Sequence, residues 1–177
     1  SDLNDHFLAY AVPEGGQNGN YASVGTRDLH ENFLPPFREA IDAGALSVMT
    51  SYNSIDGVPC TANHYLLTQL LRNEWRFRGF VVSDLYSIEG VHESHFVAPT
   101  IEEAAMQAVS AGADIDLGGD AFMNLTHAVQ SGKISEAVID TAVCRVLRMK
   151  FEIGLFEHPY VNPKTATKMV RSKDHIK

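Results

Sequence analysis

A run of apolar residues, Phe80-Val81-Val82, ends in a polar pair, Ser83-Asp84. No helical spacing relates these residues, and β-branched side chains between Gly79 and a polar pair read as a short buried strand. A carboxylate at the tip of such a strand must be hydrogen-bonded, paired or in use. Asp84 is therefore a candidate nucleophile or base, with capping of the next turn as the structural alternative. Tyr52 is a candidate hydrogen-bond donor that would keep this carboxylate ionised. Its structural alternative is a half-buried aromatic plug. The other strand ends add His6 or Glu14, then Met49, then Asp116 or Asp120, with Arg27 as the one nearby arginine. Carboxylates accept hydrogen bonds from hydroxyls, so this set suits a neutral polyhydroxylated ligand such as a sugar and suits a phosphate poorly.

Other groups carry less. His92 and His95 lie three apart without a third ligand in register, and read as loop histidines rather than a metal site. Gly118-Gly119 has the look of a phosphate-binding loop, but a tight turn is the simpler reading. No cofactor and no metal are expected.

The elements that must position these groups alternate. Strands are expected over 7–12, 45–52, 79–84 and 113–117. A polar, Gly-rich loop follows over 13–26, and loops are expected over 53–61 and from 84 to about 99. Helices are expected over 28–43, with Pro35-Pro36 interrupting and Gly44 ending it, and over 62–75 with Leu66, Leu67, Leu70 and Leu71 on one stripe. Thr100 and Glu103 form a capping box before a helix that Gly112 stops. A short helix covers 121–131. Ser135 caps a longer one with Val138, Ala142, Val143, Val146 and Leu147 inward, and Cys144 as a small core residue. Residues 159–177 read as a linker. Strands each followed by a helix predict a parallel α/β fold. The chain is about half of a (β/α)₈ barrel, which takes roughly 250 residues, although a small doubly wound sheet fits the same periodicity.

Length and composition agree with one globular domain: 177 residues, 45% hydrophobic and 20% charged. A net charge of -8 argues against nucleic acid or an anionic membrane as partner. Neither a signal peptide nor a membrane-spanning run is apparent. The missing initial Met suggests a mature product or a fragment. Two cysteines, Cys60 and Cys144, make neither a disulfide framework nor a four-cysteine zinc site.

Several ordered motifs together resemble the catalytic barrel of glycoside hydrolase family 3, the β-glucosidase and β-xylosidase group. They are "RDLHENFLPPFREAIDAGALSVMTSYNSIDGVPCTANHYLLTQLLRNEWRFRGFVVSDLYSIEG", "AGADIDLGG" and "VCRVLRMKFEIGLFEHPYV", and the likeness runs from about residue 6 to 161. The resemblance implies that Asp84, at the end of the family's seventh strand, is the nucleophile of a retaining β-glycosidase. Met49 and Tyr52 would line the sugar site from the sixth strand. His6 would hold sugar hydroxyls from the fifth, with Asp5 where the family carries Lys, and Arg27 matches a recurrent Arg. In such a mechanism the two working carboxyls stand about 5–5.5 Å apart.

The resemblance also marks departures. The family's first barrel strands have no counterpart here, and its acid/base Glu resides in a following α/β sandwich domain towards which "RSKDHIK" would lead. Leu85 stands where Trp is usual. The loop "PEGGQNGNYASVG" lacks the His-Asp pair of the hexosaminidase branch. Glu14 and Glu89 are the in-chain carboxyls that might stand in as the acid. The expected domains are thus 1–158, the second half of a barrel, and 159–177, the linker. The expected substrate is a β-glucoside, with a xyloside or mere sugar binding by an incomplete fragment as alternatives. A phosphate-handling barrel is a third reading. An open half barrel is expected to need the rest of the barrel and the sandwich domain, or a second copy. Export to the periplasm or beyond is implied only by the resemblance.

Overall fold

The computed structural model describes residues 3–176. Its centre is a parallel sheet of β1 (Leu3–Phe7), β2 (Ser47–Thr50) and β5 (Phe80–Val82) in that spatial order. A bridge from Val82 to Ile115 adds a fourth segment beside β5. The α/β expectation therefore holds. The strand expected over 113–117 shrinks to that single bridge, and the first strand ends at Phe7 instead of beginning there. Residues 8–11 form a turn, with Ala9 at φ 60 and the Val12 amide returning to Ala9 O.

Parallel strands need cover on both faces. One face is closed: Phe7, Val48 and Val81 are fully buried. Phe7 meets Phe37 and Trp75 edge-on, at 4.9 and 6.2 Å between ring centres. Phe37 comes from α1 (Leu34–Asp42). Pro35 and Pro36 fall in its first turn, where no amide partner is needed, after a wider π turn over Leu29–Phe33. Trp75 follows α2 (Tyr65–Glu74), itself wound in the π form, which buries Leu66, Leu67, Leu70 and Leu71. Each such leucine is worth roughly 1.5–3 kcal/mol of apolar burial.

The other face differs. His6, Met49, Val82 and Ile115 stand in register across the four segments, and all four are half-buried.

Two expected loops carry structure. Residues 53–61 contain a hairpin, β3 (Ser54–Ile55) and β4 (Val58–Pro59), turned by Asp56-Gly57 with φ 51 and 77. Both values are left-handed, which is what a two-residue hairpin turn requires. The segment after Asp84 contains α3 (Ser87–Glu93). α4 (Ile101–Ala111) starts as expected, with Thr100 Oγ1 accepting the Glu103 amide, and gives way at Gly112. α5 (Leu125–Gln130) and α6 (Glu136–Glu152) follow, the second capped by Ser135.

The expected inward stripe on α6 is corrected. Ala142 and Met149 are buried, but Val143, Leu147 and Cys144 are exposed. Within residues 159–176 lie two short helices, α7 (Pro163–Met169) and α8 (Lys173–Ile176), α7 being exposed along its length.

Candidate active site

Ser83 explains the first half of the Ser-Asp pair. Fully buried, it donates its amide to Ile115 O at 2.8 Å, and its Oγ accepts the Leu117 amide at 2.8 Å. It joins the end of β5 to the 115–117 segment and so fixes the backbone beneath Asp84.

Asp84 is 7% exposed. Its Oδ1 accepts the Leu85 amide at 2.7 Å, and its carbonyl accepts the Ser87 amide at 3.1 Å where α3 begins. Its Oδ2 stands 2.8 Å from His6 Nε2. The Tyr52 hydroxyl faces the same carboxylate. Burial first, then hydrogen bonding to Asp84 and its negative charge, push the Tyr52 phenol up to about 12, so it remains a donor. Met49, on β2, lies in the same register row as His6. Three elements that never touch in sequence, the tips of β1, β2 and β5, thus bring His6, Met49, Tyr52 and Asp84 to one end of the sheet.

Arg27 is not brought there. Its guanidinium pairs with Glu31 at 3.0 Å, one turn on, and its side chain is 86% exposed. The i,i+4 spacing of Arg27 and Glu31 was a legible signal for that surface pair.

The in-chain acids are also elsewhere occupied or exposed. Glu14 lies exposed in a turn over Glu14–Gly16. Glu89 Oε1 accepts the amides of Asp120 and Ala121 at 2.9 and 3.0 Å. Gly119 sits so close that a Cβ there would meet Glu89 Oε1 at 2.2 Å. The two amides that follow Gly118-Gly119 are thus taken by a carboxylate, an arrangement that favours the tight-turn reading over a phosphate loop. Asp116 Oδ2 accepts the Phe122 amide at 3.1 Å; burial, and secondarily the neighbouring Glu89 charge, raise its pKa. Asp114 belongs to a separate buried cluster with Arg72 and Arg145.

His92 and His95 are loop fasteners. Their ring nitrogens lie 2.8 Å from Ala98 O and Tyr52 O. Among the described residues no group of three or more His, Cys, Asp or Glu could hold a metal.

One neighbour of the site escaped sequence reasoning. Tyr10 stacks on His6 with ring centres 4.2 Å apart and planes at 14°. Its only signal was an aromatic four residues after the histidine.

The model of the glycosyl hydrolase family 3 N terminal domain matches residues 3–149. A periplasmic beta-glucosidase of Salmonella typhimurium is 36% identical over 156 residues, covering 88% of this chain and 20% of that protein. A putative beta-xylosidase of Formosa agariphila is 38% identical over 173 residues, covering 97% and 23%. Among solved structures, a β-glucosidase from Erythrobacter marinus superposes with a TM-score of 0.92 at 38% identity, covering 97% of this chain and 23% of that one. The β-glucosidase from Listeria innocua in complex with glucose gives 0.84 at 39%, covering 88% and 22%. The chain thus spans less than a quarter of the length of each of these relatives.

Proposed function

The chain belongs to glycosyl hydrolase family 3, and from that premise we propose that it carries the nucleophile half of a retaining β-glycosidase that removes terminal non-reducing β-D-glucosyl residues. The observation that carries this is the Asp84 carboxylate: buried, and bounded by an amide, the His6 imidazole and the Tyr52 phenol at the strand tips. An Asp84 oxygen attacks the anomeric carbon. The bond to the leaving oxygen breaks with its electron pair, and that oxygen takes a proton from a separate acid. Water, deprotonated by the same group, then attacks the glycosyl-enzyme and frees Asp84. His6, Met49 and Tyr52 hold the glycone.

Neither Glu14 nor Glu89 is disposed to be the acid, so the proposal assigns that carboxyl to polypeptide beyond these residues. It likewise treats 1–158 as strands five to eight of a (β/α)₈ barrel whose half-buried row His6–Met49–Val82–Ile115 is completed by the remaining strands or by a second copy. The segment from 159 leads towards an α/β sandwich domain. A periplasmic or extracellular setting fits the periplasmic relative.

The test is intact-mass spectrometry after incubation with a 2-deoxy-2-fluoro glucoside bearing a dinitrophenolate leaving group, which needs the nucleophile but little help from an acid. A mass gain that maps to Asp84 and vanishes in Asp84→Asn is the expected result. Label on another residue, or no label at all, overturns the proposal for this chain. The matching 2-fluoro xyloside decides between glucoside and xyloside by which labels faster.

A further inference from the structure

The loop after β1 carries an aromatic ring back onto the strand it has just left. β1 lies at an edge of the sheet, and His6 projects from it on the half-buried face with its side chain 31% exposed. An imidazole so placed has two free torsions, and a single contact to Asp84 does not fix both. The Tyr10 ring, near-parallel at 4.2 Å, removes that freedom from one side. Tyr10 and Tyr52 stand 6.3 Å apart at 44°, and His6 and Tyr52 6.4 Å apart at 31°. The three rings thus lie within 6.4 Å of one another, centre to centre.

The return of the chain is itself built. Ala9 adopts φ 60, which costs a non-glycine residue roughly 1–2 kcal/mol. Buried groups distant in sequence hold it there. Leu8 is fully buried, and its carbonyl accepts Asn53 Nδ2 at 3.1 Å and Cys60 Sγ at 3.6 Å. The Phe7 carbonyl accepts the Ser51 amide at 3.0 Å. Burial pushes the Cys60 thiol up to about 12, so it stays a donor. Asn53 and Cys60 thereby gain a role: they pin the turn that delivers Tyr10 to His6.

We propose that Tyr10 is a positioning residue, its ring fixing the His6 imidazole so that Nε2 stays on Asp84 while the glycosyl group is transferred. This rests on Asp84 being the nucleophile. The ring, not the hydroxyl, makes the contact, so Tyr10→Phe and Tyr10→Leu separate the two.

The experiment uses the full 177-residue chain. Two quantities are read: the His6 ring-proton resonances, and the rate of Asp84 labelling by the 2-fluoro glucoside against its concentration. Tyr10→Phe is expected to keep the ring-current displacement of His6 and a labelling rate close to the parent's. Tyr10→Leu is expected to lose the displacement and to lower the limiting rate roughly 10-fold or more, with the half-saturating concentration little changed. The proposal is overturned if Tyr10→Leu labels at the parental rate, or if Tyr10→Phe is as slow as Tyr10→Leu. If the parent itself is not labelled, the nucleophile reading fails separately and the resonances decide. The response of His6 to Asp84→Asn must then survive in Tyr10→Phe and disappear in Tyr10→Leu; its persistence in Tyr10→Leu overturns the inference.

Discussion

Asp84 and Asp114 are both buried aspartates on adjoining segments of one sheet, yet their surroundings are opposite. Asp114 is saturated: Arg72 Nη2 at 2.7 Å and the Val81 amide at 2.8 Å share Oδ2, and Arg145 Nη1 lies 2.9 Å from Oδ1. Two guanidinium groups and an amide leave nothing for a ligand to claim. Asp84 has a single amide, one imidazole and one phenol, and no guanidinium. A carboxylate matched by fixed cations is part of the frame. One bounded by half-exposed, uncharged-ring partners lacks a fixed counter-ion, as the proposed nucleophile requires. Burial alone does not distinguish the two; the partners do.

Removing the charge at each position sharpens this contrast most. Asp114→Asn leaves Arg72 and Arg145 without their counter-ion, and should cost about 3–5 kcal/mol in urea unfolding. A loss below about 1 kcal/mol would show that the cluster is dispensable. Tyr52→Phe removes the phenol that faces the Asp84 carboxylate, so Asp84 labelling should slow by roughly 3–10-fold with little change in stability. An unchanged rate would detach Tyr52 from the carboxylate.

Asp116 offers an intermediate case. Its folded pKa is raised, first by burial, so the fold favours the protonated acid. That contribution is whole below the unfolded value of about 3.9 and is lost as pH rises through the folded one. Asp116→Asn should therefore gain stability relative to the parent as pH rises from about 3 to 7, read by urea unfolding at the two pH values. The opposite pH trend would refute the burial argument. The smallest effect is expected at Asp84 itself: Asp84→Asn should be no less stable than the parent, since reactive groups are held at some cost to stability. A destabilisation like that of Asp114→Asn would make the two aspartates alike after all.

The sequence showed those features that depend on near neighbours. Asp84 stood out because an apolar run led into it, and the leucine stripe of α2 and the Thr100 cap followed familiar spacings. Tyr10 was hidden because its position depends on Asn53 and Cys60, more than forty residues away. His6 and Met49 were legible as strand-end residues, and their particular places in a sugar site came through the family likeness. The hairpin at 54–59 was missed although Asp56-Gly57 announced it, and α3 was missed because it is short and carries Gly90. Val143, Cys144 and Leu147 looked internal because α6 is apolar on more sides than its neighbours cover.

One bond in the Asp114 cluster has a kinetic meaning. The Val81 amide donates to the Asp114 side chain. Its hydrogen cannot exchange with solvent by fraying of strand neighbours alone, because the carboxylate must also let go. Since that carboxylate is clamped by arginines from residues 72 and 145, release requires segments widely separated along the chain to part together. Val81 is thus a resident clock for whole-domain opening: its exchange lifetime should approach that of global unfolding, while amides of the exposed α7 turn over on contact with water.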